Sequence, residues 1–227
     1  MFAYQSAVPR KLVSAAFLLP LAILAGASTL AGCDDDTVQP EPEESPYLDP
    51  TSPANLLDNL IIATELRDAE GYAALFDADQ FIFRFDPIDV GDGYPLSWGY
   101  AEELAWSNAC FASADVFRLS LEWNQGPLQD LDEDDPDLYT DPAMKKMLVT
   151  SIHLEIEIEN PVDPTDHVIF LVQGDRGRFY FEPDPSRLID GQPTWKIVEW
   201  QDIQVEGSPL PTIRSTFGAI KTVFQPL

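Results

Sequence analysis

Apolar and polar positions along this chain change period several times, and each change predicts an element. Residues 12–24 carry a dense apolar run through Leu12, Val13, Phe17, Leu18, Leu19, Leu21, Ile23 and Leu24, which gives way to small residues before Cys33. From Ser52-Pro53 the period becomes helical: a hydroxyl at the N-cap and proline at the first turn precede Leu56, Leu57, Leu60, Ile61 and Thr64 on one face. Asp68 is placed to cap a second, short helix carrying Tyr72, Leu75 and Phe76, and Phe81, Phe83 and Phe85 then alternate with Ile82 and Arg84 as a strand. Residues 86–97 read as irregular, and Trp98 leads into a helix with Leu104, Ala105, Ala109 and Cys110.

Long strands follow. Phe117, Leu119, Leu121 and Trp123 are expected on one face of the first, and Leu148, Ile152, Leu154, Ile156 and Ile158 on the inner face of the second, with His153, Glu155, Glu157 and Glu159 outward. A hairpin loop over 160–166 centred on Asp163 pairs Ile158 with Val168, Ile156 with Phe170 and Leu154 with Val172, so the apolar faces match. Gly174 and Gly177 mark either a bulge inside one bent strand running to Glu182 or a separate tight turn. Residues 195–203 supply the last long strand, and 215–224 a C-terminal helix.

The N-terminal run acquires a meaning from its ends. Arg10 and Lys11 form a cationic start, and Leu30-Ala31-Gly32-Cys33 resembles the lipobox of bacterial lipoprotein signal peptides, followed at once by Asp34-Asp35-Asp36. The resemblance implies cleavage before Cys33, acylation of its sulfur, and a chain anchored in a bacterial cell envelope and facing the periplasm or the exterior. An uncleaved anchor is the competing reading, because 12–31 is long enough to span a bilayer. The expected organisation is a signal peptide over 1–32, an acidic proline-rich tether over 33–51, and one domain over 52–227 with an acidic loop at 124–143.

Charge narrows the partners. The chain holds 13 Lys and Arg against 39 Asp and Glu, and removing residues 1–32 shifts the balance from −26 to −28. Such a field repels nucleic acid and anionic headgroups, so the expected membrane contact runs through lipid on Cys33 alone. Once Cys33 is acylated, Cys110 has no cysteine to pair with.

The order helix, helix, strand, helix, then long antiparallel strands resembles the nuclear transport factor 2-like superfamily, which includes SnoaL-like cyclases. The carriers are SPANLLDNLIIATELRDAEGYAALFDADQFIFRF and the closing WKIVEWQD, and the likeness spans residues 52–205. It implies an α+β cone, a curved antiparallel sheet wrapped around N-terminal helices in the cystatin-like manner. Enzymes of that superfamily place a carboxylate, sometimes with a tyrosine or histidine, in the apolar cone. Asp202 and Tyr72 are the weak counterparts here, a strand-end aspartate and a core tyrosine being the plainer reading of each.

No other motif carries chemistry. Asp130, Asp132, Asp134 and Asp141 fall at positions 1, 3, 5 and 12 of a calcium-type loop, but Asp135 stands where its turn needs glycine, Pro136 is at position 7 and Asp141 stands where a bidentate glutamate is usual, so an acidic, flexible insertion is expected. His153 and His167 are too far apart along the sheet to share an ion, and no metal or cofactor is expected. Tyr72, Trp123 and Trp200 are the candidate pocket residues, within walls expected to be almost wholly apolar with Tyr72 and Asp202 at the mouth. The leading expectation is a non-catalytic domain that binds a small apolar ligand or a protein partner. The alternatives are a cyclase, isomerase or dehydratase using a buried carboxylate, and a module that forms homodimers through its sheet.

Overall fold

The structure, a computed structural model, describes residues 45–135, 139, 141–160, 163, 166–205 and 220–221. The expected signal peptide, Cys33 and most of the tether lie outside these residues. Helix α1 (Pro53–Leu66) begins at Ser52, whose side chain accepts from the Asn55 N–H, and α2 (Ala69–Ala73) is capped by Asp68. Strand β1 (Ile82–Arg84), helix α3 (Pro87–Gly91), strand β2 (Ser97–Gly99) and helix α4 (Tyr100–Ala112) follow, so the stretch expected to be irregular holds a short helix, and a short strand begins at its last residue. Strands β3 (Val116–Gln125), β4 (Gln129–Asp130), β5 (Lys145–Glu159), β6 (His167–Ile189) and β7 (Gln192–Ile203) complete the sheet.

The sheet order is β2-β1-β7-β6-β5-β3, with β4 on the side of β5 and only the β1–β7 pair parallel. It is an open, curved sheet with few helices, the α+β cone expected. Its inner face, from Leu119, Leu121, Ile152, Leu154, Ile156, Val172, Phe179 and Phe181, shares one core with Leu56, Leu57, Leu60, Tyr72, Phe76 and Trp106 of the helices. Ordered contact begins upstream of Ser52: Tyr47 donates to Asp68 at 2.6 Å, and the Leu48 N–H and C=O both bond the Asn59 amide at 2.8 Å.

The hairpin register is the one expected, with Ile158, Ile156 and Leu154 opposite Val168, Phe170 and Val172. The parity of two strands is not. β3 carries an extra residue between Val116 and Arg118, so Val116 faces the core while Phe117, expected inward, is exposed and stacks on His167 at 4.6 Å. In β5 and β6 the ladder slips twice, around Ser151 (φ 56°) and Gly174 (φ 85°), and the two slips cancel. Val149 and Ile152 therefore both point inward, and Leu148, expected there, does not join the core. β6 is one strand of 23 residues, running past Glu182 to Ile189.

The described residues of the acidic loop, expected to be a flexible insertion, are tied to the sheet. β4 pairs with the start of β5, Lys145 pairs with Asp130, and Lys146 reaches Asp132 and Asp135 at 2.7 Å each. Tyr180 donates to Asp135 at 2.9 Å, and Leu131 and Tyr139 lie over Met144, Tyr180 and Val198 on the outer face of the sheet.

Candidate functional site

Helix α4 sets a polar centre inside the cone. Gly99 is its N-cap, and the Glu102 side chain accepts from the Gly99 N–H at 3.0 Å, which fixes the first turn. The resulting phase buries Glu103, Trp106, Ser107, Cys110 and Phe111, so that of the expected Leu104, Ala105, Ala109 and Cys110 face Cys110 is buried and the other three are only partly so. Glu103 is fully buried, and so is Lys221, which with Ile220 is helical; the rest of the helix expected over 215–224 lies outside the described residues.

Lys221 Nζ lies 2.6 and 2.5 Å from the two Glu103 oxygens. Tyr72 donates to Oε1 at 2.5 Å, and the Trp98 indole N–H donates to Oε2 at 2.9 Å. A carboxylate has about four acceptor sites, and four contacts occupy them here. The ammonium also sits 3.9 Å from the Phe83 ring centre and 4.3 Å from that of Trp200, a cation–π environment. Burial pushes the Lys221 ammonium from its ordinary 10.5 down to about 8, against the pull of Glu103 and Asp202. Burial and then the Glu103 charge push the Tyr72 phenol well above its usual range. Burial alone raises the Cys110 thiol to about 12, which keeps it from acting as a nucleophile at neutral pH.

Of the expected pocket residues Tyr72, Asp202 and Trp200 lie at this centre, and Trp123 packs on Trp200. Tyr72 is buried with its hydroxyl committed to Glu103, and Asp202 is buried on β7 within electrostatic range of Lys221. Trp200 is buried against Phe83, Phe179 and Trp123, and Trp123 is half-buried with its indole N–H lacking an acceptor among the described residues. The walls are not almost wholly apolar as expected, because Glu103 and Lys221 stand among the aromatic rings. Sequence reasoning missed both. Glu103 was legible as a member of the 103, 106, 107, 110, 111 stripe, but nothing local signals a partner 118 residues away.

Two further polar groupings lie elsewhere. On the outer face Glu199, fully buried, accepts from Arg84 at 2.8 Å, from Gln201 at 2.6 Å and from Tyr139. His153 lies 3.8 Å from Glu155 and His167 2.5 Å from Glu157, and among the described residues no cluster of His, Cys, Asp and Glu is suited to a metal ion. A cleft of about 290 Å³ opens on the flank of the domain, between the 45–50 segment, α1 and α2 on one side and the β6–β7 hairpin on the other.

The fold is thus an α+β cone with a closed polar latch inside it. No protein-family model matches the sequence, and no curated protein does. Solved structures similar to the chain include a nuclear transport factor 2-like protein with a cystatin-like fold from Novosphingobium aromaticivorans, 14% identical with a TM-score of 0.36, over 67% of this chain and 79% of that one. A nuclear transport factor 2-like protein of unknown function in nutrient uptake from Rhodospirillum rubrum is 14% identical at a TM-score of 0.38, over 67% and 97%. A type 2 hexachlorocyclohexane dehydrochlorinase is 12% identical at 0.41, over 71% and 88%. Similarity at this level says nothing of what this chain does.

Proposed function

We propose that this chain is a lipid-anchored bacterial envelope protein whose cone domain binds a small ligand or a partner without transforming it. The observation that carries the non-catalytic part is the saturation of Glu103. A general base needs a free acceptor site within reach of the substrate, and here Lys221, Tyr72 and Trp98 occupy all of them in a centre closed to solvent. The anchor rests on the Leu30-Ala31-Gly32-Cys33 sequence, with its cationic start and apolar run.

The test is to screen small amphiphiles by thermal shift against the full chain and its Glu103→Gln variant, then recover each stabilising compound and weigh it. A binder returns its ligands unchanged, and Glu103→Gln alters stability without abolishing the hits. A compound recovered chemically altered by the wild type and intact from Glu103→Gln would establish the enzyme reading instead. That reading has one observation in its favour, an amine at about 8 beside a carboxylate and a phenol, and it requires the Lys221 segment to leave the cone.

A further inference from the structure

The flank cleft holds features that the latch does not explain. Its walls mix apolar side chains, Leu48, Leu75 and Trp195 among them, with two cations, Arg187 and Lys196. Asp49, exposed at the rim, is the acidic residue of the lining, so the cleft is net positive in a chain of net charge −26. Neither cation forms an ion pair among the described residues; Lys196 donates to the Ala74 carbonyl. They feel each other, since burial first and Arg187 second lower the Lys196 ammonium below its ordinary value, against the weaker pull of Asp184 and Asp77.

A second observation points to a missing partner. Thr194 lines the same cleft, is 1% exposed, and its hydroxyl oxygen has no hydrogen-bond partner among the described residues. A buried hydroxyl without a partner is a cost that a ligand's polar group removes. The cleft's shape is also held in place. Asn59 clamps Leu48 through two bonds, and the Tyr47 hydroxyl is fixed by Asp68. Gly71 leaves the space that Tyr47 fills, for a Cβ there would collide with its hydroxyl.

We infer that this cleft is a binding site for a small amphipathic monocarboxylate, its apolar body against Leu48, Leu75 and Trp195 and its carboxylate between Arg187, Lys196 and the Thr194 hydroxyl. The volume of about 290 Å³ sits at the small end of ligand pockets and suits a compact aryl or short acyl chain rather than a lipid. An anion there relieves the repulsion between the two cations and gives Thr194 an acceptor. The inference rests on the binder reading and assigns it a place outside the cone.

The experiment is calorimetric titration of the full chain in nanodiscs, with empty nanodiscs as reference, using 4-phenylbutyrate and its neutral match 4-phenylbutanol. The acid should bind at least about tenfold more tightly than the alcohol, as one charge-assisted contact implies. Arg187→Gln with Lys196→Gln should bring that ratio to about one. Thr194→Val should weaken the acid several-fold while the melting temperature stays level or rises, which a merely structural threonine would not do. Equal binding of acid and alcohol, or no binding of either, overturns the site. Acid binding that ignores all three substitutions also overturns it, while placing a ligand elsewhere on the domain and leaving the binder reading intact.

Discussion

Removing Lys221 leaves Glu103 charged inside an aromatic core with only the Tyr72 and Trp98 donors, and the cost can be worked from the geometry. Breaking a buried ion pair from one side costs about 3–5 kcal/mol, whereas replacing both members with apolar side chains of similar volume is often neutral or better. Lys221→Met and Glu103→Leu should therefore each lose about 3–5 kcal/mol, a large share of the about 5–15 kcal/mol that holds a domain folded. The double variant should lose about 2–4 kcal/mol, well short of the sum, because Met and Leu then meet each other among Phe83, Trp98, Trp106 and Trp200 while the Tyr72 O–H and Trp98 N–H lose their acceptor. Urea unfolding followed by tryptophan fluorescence reads this directly: at a slope of about 2 kcal/mol per molar, each single variant moves the midpoint down by about 2 M. The cycle should give a coupling of at least about 2 kcal/mol. Single losses below about 1 kcal/mol, or a double variant equal to the sum of the singles, would show that Lys221 does not hold the cone shut.

The same lysine predicts a pH dependence. Its folded-state value of about 8 lies below the ordinary 10.5, so between those values the unfolded chain binds more protons and stability rises with pH; the difference between wild type and Lys221→Met should climb from pH 8 towards pH 10, and a flat or falling difference refutes it. Cys33→Ser should abolish palmitate labelling and leave an uncleaved or mislocalised precursor, and equal labelling of the variant would end the lipoprotein reading. Ile156→Asp, which puts an unpaired carboxylate at a fully buried position between Leu119 and Phe170, should cost more than about 4 kcal/mol, while Glu157→Ala, trimming a partly exposed pair with His167, should stay within about 1 kcal/mol; comparable melting temperatures for the two would contradict the register. Lys146→Met should release the acidic loop to proteolysis between β4 and β5 with little change in global stability, since Lys146 ties both Asp132 and Asp135 to the sheet.

What the sequence disclosed and what it hid follow from how far each determinant reaches. The α1 start was legible because Ser52 and Pro53 act on adjacent residues, and the hairpin register because alternation on both arms has one solution about Asp163. The bulges were not legible at Phe117 or Ser151, since alternation alone gives no sign of an inserted residue until the partner strand is known. Gly174 did signal one half of the slip, but its compensating half sits on a serine with positive φ. The same limit hid a further register shift, opposite Tyr180 and Phe181, which puts Val198 with the outer cluster while Ile197 and Trp200 join the inner core. At the candidate site Tyr72 and Asp202 were visible as polar residues in apolar surroundings, whereas Glu103 gave no signal of its own, because a glutamate on a helix is usually solvated.

The scarcity of cations makes their placement informative. In a chain of −26, Arg84 is set against Glu199, Lys145 against Asp130, Lys146 against Asp132 and Asp135, and Lys221 against Glu103. These pairs tie parts of the chain to one another: β1 to β7 beside their backbone ladder, the described residues of the acidic loop to the sheet, and Lys221 to α4. Arg187 and Lys196 form no such ion pair among the described residues; Lys196 reaches only the Ala74 carbonyl at the end of α2. They stand together at a cleft, unneutralised by any ion pair among the described residues, beside a threonine hydroxyl that has no partner there. Mutual repulsion at that spot costs the folded domain stability, and in a chain with so many carboxylates at hand a structural remedy was one substitution away. The arrangement is coherent as a site whose missing charge arrives with a ligand, which is why the Arg187 and Lys196 variants should stabilise the empty domain while they weaken its hold on the acid.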